Sequence, residues 1–200
     1  MVISETTETI FIHVPKCAGT SVKSVLRQWG FRLILLDVQV DDIHSGFYKR
    51  GTAARMHRHI DPDQWGRSFK FAVCRNPYDR LFSGWNYARE KVRLAVPFDY
   101  FVRHLTTYRG YWIDWHCVMP QLQHLLIDGT FVADHICRFE HLDDDFEVVR
   151  QRLGKPDLRL PRLNQSSHGP YQAHFTKELQ DITFEMFAAD FEYFGYDYDI

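Results

Sequence analysis

Thr9-Ile-Phe-Ile-His-Val-Pro-Lys-Cys-Ala-Gly-Thr-Ser21 is the stretch whose reading decides the fold. Its first half, Thr9 to Val14, is a short, nearly continuous apolar run closed by Pro15, the pattern of a buried strand. Beyond the small residues Ala18, Gly19, Thr20 and Ser21 the period changes. Val22, Val25, Leu26 and Trp29 fall at i, i+3, i+4 and i+7, one face of a helix, with Thr20 or Ser21 as the expected cap. The loop between strand and helix suits an anion. Small side chains let the backbone approach a ligand, and N–H groups at a helix N-terminus lack intrahelical partners. Lys16 adds a point charge, and Thr20 and Ser21 add hydroxyls. The nucleotide-hydrolase pattern GxxxxGK[ST] is absent, because here the lysine precedes the glycine, and this disfavours a kinase or ATPase of that kind.

The same pattern returns farther along. Phe69 to Cys74 reads as a second buried strand, and Pro77 opens a helix with Leu81, Phe82, Trp85 and Ala88 on one side. Arg75 stands at the strand end, where open α/β sheets bind ligands, and Ser83 lies one to two turns into the helix. A guanidinium and a hydroxyl converging there make a phosphate receptor. Taken singly, the first segment is also what an ordinary βα loop with an exposed lysine looks like. The second is also compatible with a surface ion-pair cluster of Arg75, Asp79 and Arg80. The pair is more specific than either.

Strand patterns at Leu33–Leu36 and His135–Phe139 complete the sheet. Helical spacing recurs at Phe98–Leu105, Pro120–Ile127, Leu142–Leu153 and Leu179–Phe187, while the aromatic tract Phe187–Tyr198 reads as core. Strands alternating with helices predict an α/β protein: a three-layer, P-loop-like fold with a central, mainly parallel sheet, in one domain spanning residues 1–200. The 24 Lys and Arg nearly balance 26 Asp and Glu, so nothing in the overall charge favours nucleic acid or an anionic membrane. No apolar run reaches the roughly 18 residues of a transmembrane helix, and Met1–Thr9 lacks the features of a signal peptide. Cys17, Cys74, Cys117 and Cys137 lie far apart without CxxC spacing, which disfavours a zinc ribbon or a disulfide scaffold. No metal-ligand set stands out, the His57–His59 pair alone being a weak signal.

With both anion segments in hand, the sequence resembles the sulfotransferases that use 3′-phosphoadenosine-5′-phosphosulfate (PAPS), especially the carbohydrate type related to heparan 2-O-sulfotransferases. Val14-Pro-Lys-Cys-Ala-Gly-Thr-Ser21 is similar to that family's 5′-phosphosulfate loop, PK[TS]GGTS, with Cys17 and Ala18 replacing residues that are also small. Arg75-Asn-Pro-Tyr-Asp-Arg-Leu-Phe-Ser83 is similar to its 3′-phosphate motif, RxPxxRxxS. Phe139–Phe146, Leu160–Ser166 and Asp190–Tyr196 echo later blocks in the family's order.

The resemblance implies sulfuryl transfer from PAPS to a hydroxyl or amine acceptor, without a metal. It implies that Pro15, Lys16, Cys17, Ala18, Gly19, Thr20 and Ser21 cradle the 5′ end, with Lys16 stabilising the bridging oxygen. Arg75 and Ser83 would hold the 3′-phosphate, and Ser166 or Arg162 would touch the nucleotide from a later loop. A histidine base suits an acceptor hydroxyl. Arg55-Met-His-Arg-His-Ile60 resembles the His-x-His block of the 2-O branch, which makes His59 the expected base with His57 assisting. Both would share one face of an extended segment. His116 is the next candidate, and His13 is expected to be structural. The expected acceptor is a carbohydrate, such as a lipid-linked sugar or an oligosaccharide, or another hydroxyl compound, with Arg50, Arg55, Arg103 and Arg109 as a basic rim. A cytoplasmic enzyme of bacterial or phage type fits better than a trimmed luminal domain. The alternative function is a nucleotide-binding module of the same fold that performs no transfer.

Overall fold

A computed structural model of the chain describes residues 2–4, 6–33, 52–109, 117–161 and 169–200. Strand β1 (Val2–Ser4) pairs antiparallel with β2 (Thr9–Ile12) and with β3 (Arg32–Leu33). On its other side β2 runs parallel to β4 (Phe69–Cys74), which runs parallel in turn to β7 (His135–Arg138), giving the order β3-β1-β2-β4-β7. Short strands β5 (Leu126–Ile127) and β6 (Thr130–Phe131) form a separate hairpin. The central sheet is therefore mainly parallel, and β1 is its one antiparallel member among the described residues. Every residue of β2, and β4 from Lys70 onward, is buried, as expected of strands covered on both faces.

Helices flank the sheet. Helix α1 (Gly19–Gln28) follows β2 and buries Val22, Val25 and Leu26. After α2 (Ala53–Met56), a 3-10 turn over His57–His59 leads to α3 (Pro62–Arg67). Helix α4 (Pro77–Val92) follows β4, with Pro77 in its first turn and the Asn76 side chain accepting from the Tyr78 N–H. It packs with α5 (Phe98–Arg103) and α8 (Lys177–Phe194) around a second apolar cluster that includes Tyr78, Phe82, Phe101, Phe187 and Phe191. Helices α6 (Leu142–Asp145) and α7 (Glu147–Arg152) cover β7 and β4, where Phe146 meets Phe71 edge-on. No helix among the described residues is long and apolar enough to cross a membrane.

The structure departs from expectation in three places. The cap of α1 is neither Thr20 nor Ser21 but Ala18, in the left-handed region at φ 51° and with no side-chain cap. Pro120–Ile127 is a 3-10 turn (Leu122–Leu125) running into β5, not a helix. The His57–His59 segment is 3-10 rather than extended, so residues two apart point in different directions around the turn and do not share a face. Of the strand expected at Leu33–Leu36, Leu33 belongs to β3 and the rest lies outside the described residues.

Candidate functional site

Because β2, β4 and β7 are neighbours and parallel, their C-terminal ends open on one edge of the sheet. From β2 the chain enters the loop 13–18, from β4 the Arg75-Asn76 turn, and from β7 the Phe139-Glu140 turn. These three connections touch. Arg75 Nη1 donates to the Lys16 carbonyl (3.1 Å), its Nε donates to Asp79 (2.7 Å), and the guanidinium carbon lies 4.1 Å from the centroid of the Phe139 ring. Glu140 accepts from the Asn76 N–H (2.7 Å) and from the Tyr196 hydroxyl (2.9 Å), holding the second turn to the third.

Beneath them sits Gln121, fully buried. Its amide exchanges two hydrogen bonds with the Arg75 backbone (2.9 and 2.8 Å), and the Cys17 thiol donates to the same side-chain oxygen (3.2 Å). Asp190 of α8 accepts the backbone N–H groups of Gln121 (2.7 Å) and Leu122 (2.9 Å), anchoring the start of the 3-10 turn that carries them. Arg80 is also fully buried, donating to the carbonyls of Pro15 (3.1 Å) and Met119 (2.9 Å). The expectation of a surface ion-pair cluster therefore fails for Arg80, which is a structural rivet between the two loops. The pairing of Arg75 with Asp79 is real and largely buried.

The first loop is held in an unusual backbone. Lys16 and Ala18 both take φ in the left-handed region, at 66° and 51°. An αL residue within such a loop turns successive N–H groups toward a common side, the geometry of an anion nest. Gly19 serves packing rather than ligand approach. A Cβ there would lie well inside contact distance of the His13 imidazole, 3.2 Å even from its Cγ. The His13 ring packed against this position accounts for a glycine at the start of α1.

Lys16 carries the electrostatic signature of the site. Burial, and then the like charge of Arg75, lower its amine to about 8. Its ammonium rests 4.2 Å from the centroid of the Tyr87 ring on α4. Ser83, one turn earlier on that helix, is buried, as is Ser21, while Thr20 is exposed in the first turn of α1. The Cys17 thiol, buried beneath the loop, is pushed up to about 12 and stays protonated at neutral pH, chiefly because of burial.

Pro15, Lys16, Cys17, Ala18, Gly19, Thr20, Ser21 and Arg75 thus gather at one sheet edge, with Ser83 on the helix leaving it. The described contacts do not bring the histidines to Lys16. His57 Nδ1 lies 2.9 Å from the Ala54 carbonyl and must donate to it, leaving Nε2 as the basic nitrogen, and its ring faces Trp65. His59 is exposed at the end of its 3-10 turn. Ser166, Arg162 and His116 lie outside the described residues. Sequence reasoning missed Gln121, Asp190, Phe139 and Tyr87. Gln121, Asp190 and Phe139 stood inside stretches already singled out, yet nothing local announced their roles.

A model of the sulfotransferase family matches residues 1–197. No curated protein matches the chain. It is similar to the crystal structure of a sulfotransferase from Alicyclobacillus acidocaldarius, at 20% identity and a TM-score of 0.44, over 74% of this chain and 60% of that one. The chain therefore spans less than two thirds of that protein's length. With a family model running through nearly all of its residues, the chain belongs to the sulfotransferase family.

Proposed function

We propose that the protein transfers a sulfuryl group from PAPS to a hydroxyl acceptor, a carbohydrate or glycoconjugate, in the manner of the heparan 2-O type. The observation that carries this reading is the joining of two strand-to-helix turns, one bearing Lys16 and the other Arg75, through the Arg75 Nη1 bond to the Lys16 carbonyl. Two neighbouring cations, of which only Arg75 is directly paired to a carboxylate among the described residues, suit a ligand that is anionic at two points. The residues fit the donor. The uncapped start of α1 with Thr20 and Ser21 receives the 5′ phosphate, and Arg75 with Ser83 receives the 3′-phosphate that distinguishes PAPS from plain adenine nucleotides.

In this reading the acceptor oxygen attacks sulfur in line, the bond from sulfur to the bridging phosphate oxygen breaks, and 3′-phosphoadenosine-5′-phosphate (PAP) leaves. Lys16 offsets the charge that develops on the bridging oxygen. His59 takes the acceptor proton, and His57, with Nε2 as its basic nitrogen, orients the acceptor.

The test is calorimetric titration with PAP beside 5′-AMP and ATP. Selective PAP binding, weakened by Arg75→Ala, supports the two-anion site, whereas equal binding of all three or none overturns it. His59→Ala is then expected to keep PAP affinity and lose turnover. A variant with unchanged turnover removes His59 from the mechanism.

A further inference from the structure

The side chain of Lys16 does not lie alongside the loop it comes from. Its backbone is turned into the left-handed region and its carbonyl is clamped by Arg75, so the side chain is carried across to α4. There the ammonium meets the face of Tyr87, 4.2 Å from the ring centroid. Tyr87 stands four residues after Ser83, one turn farther along the same helix face. One stripe of α4 thus presents a buried hydroxyl and, beyond it, an aromatic face occupied by the lysine.

We propose that Tyr87 is the positioning residue for Lys16: its ring seats the ammonium at the mouth of the loop, aimed along α4, before donor arrives. The use of that seat in catalysis rests on the sulfuryl-transfer reading, but the seat itself does not. Among the described residues, the charged and titratable groups around the ammonium, besides Tyr87 itself, are Arg75 from the β4–α4 turn, Cys17 from its own loop, Cys117 packed against Gly84, and Glu90 on α4. Arg75 repels it, the Cys17 thiol is protonated at neutral pH, and Glu90 is exposed. The negative face of the Tyr87 quadrupole is the attraction that needs no ionisation, and it gains strength where water is partly excluded. A cation–π seat is also weak enough to release the ammonium to a bridging oxygen once donor is bound.

Two substitutions separate ring face from hydroxyl. Tyr87→Phe keeps the quadrupole, Tyr87→Leu removes it, and Tyr87→Met replaces the leucine variant should that one fail to fold. The readout is the titration midpoint of the Lys16 amine, followed by competitive acetylation across pH with mass-spectrometric detection on the full chain. Loss of the ring is expected to lower the midpoint by roughly half a unit to one unit, and the phenylalanine variant should match the parent. PAP affinity of the leucine variant should fall severalfold at pH 8 and little at pH 6.5, where Lys16 is charged regardless. An unchanged midpoint in Tyr87→Leu, or a phenylalanine variant that behaves like leucine, overturns the proposal. If the parent protein does not bind PAP at all, the functional reading fails while the midpoint comparison still decides the seat.

Discussion

Gly19→Ala tests the packing beneath the first loop. The added Cβ would overlap Cδ2 and Nε2 of His13 and stand 3.2 Å from Cγ, so the ring or the start of α1 must move. Overpacking of this kind costs about 1–3 kcal/mol. Against it, alanine is favoured over glycine in a helix interior by up to about 1 kcal/mol, and by less in the first turn. The net expectation is a destabilisation of about 1–2 kcal/mol, which for a chain of this size lowers Tm by roughly 2–8 °C. The informative measurement is a double-mutant cycle by urea unfolding. With His13→Ala in the background there is no ring to strike, and Gly19→Ala should become neutral or slightly stabilising. The coupling between the two positions should then be about 1–3 kcal/mol. Equal effects of Gly19→Ala in both backgrounds would refute the contact, and the glycine would then owe its place to the ligand. PAP titration of the same variants adds a functional arm. Since the clash sits at the first turn of α1, single-mutant affinity should fall and the double mutant should recover part of it.

Other expectations follow from the same geometry. Lys16 titrates near 8, so its cationic form predominates below that pH and is lost above it; PAP affinity should weaken about tenfold between pH 7 and pH 9, and Lys16→Arg should flatten that dependence. Asp190→Ala removes the acceptor for two backbone N–H groups and leaves buried Arg80 without the nearby carboxylate, so urea unfolding should report a loss of about 3–5 kcal/mol; a loss under about 1 kcal/mol would exclude the anchoring role. Arg75→Lys keeps the charge but cannot hold Asp79, the Lys16 carbonyl and a phosphate together, and PAP affinity should fall roughly 10–100-fold, a loss of one charge-assisted bond, with 5′-AMP little affected. Iodoacetamide at pH 8 should leave Cys17 and Cys74 unmodified in the native protein, since burial pushes both thiols to about 12, and alkylation of Cys17 would contradict its bond to Gln121.

The parts of the fold legible in sequence are those where local pattern and tertiary environment agree. Phe69–Cys74 is a strand to the residue because its apolar run is bounded by Arg75 and the Asn76-Pro77 start of α4. Val2–Ser4 escaped because a strand of that length in a polar stretch acquires its identity only from β2 and β3 on either side. Pro120–Ile127 has helical spacing, but Asp190 fixes its first turn and Asp128-Gly129 ends it. Both of those residues take positive φ, at 49° and 81°, as a two-residue type I′ hairpin turn requires. That signal stood in the sequence unread. The meeting of the Lys16 and Arg75 segments was legible because each follows a buried strand and leads into a helix, and parallel neighbouring strands bring such turns to one end of the sheet. Gln121 was not. Its partners lie 46 and 104 residues away, and no local pattern marks a glutamine that will be buried between loops.

The two motif arginines divide the work in a way the motif alone does not express. Arg80, fully buried, donates through Nε and Nη1 to the Pro15 and Met119 carbonyls and leaves Nη2 buried without a hydrogen-bond partner among the described residues, so its main work is to tie the two segments together. Arg75 is neutralised on one side by Asp79 and stacked on Phe139, which fixes the plane of its fork and lowers the entropy lost when it binds an anion. Lys16 has no carboxylate in ion-pair contact among the described residues and feels the positive charge of Arg75. The unmet demand for negative charge therefore falls at the end of the loop where the sulfuryl donor's bridging oxygen is expected. Burial makes that demand stronger, since a partly desolvated ammonium gains more from an anion than one in water. If PAPS binds as proposed, the compensated cation would meet the 3′-phosphate and the uncompensated one the reacting end, directing binding energy to the step that needs it. In the proposed reading, a ground-state contact made by Arg75 would set affinity and selectivity, and charge growing on the leaving oxygen would be met by Lys16 as it develops.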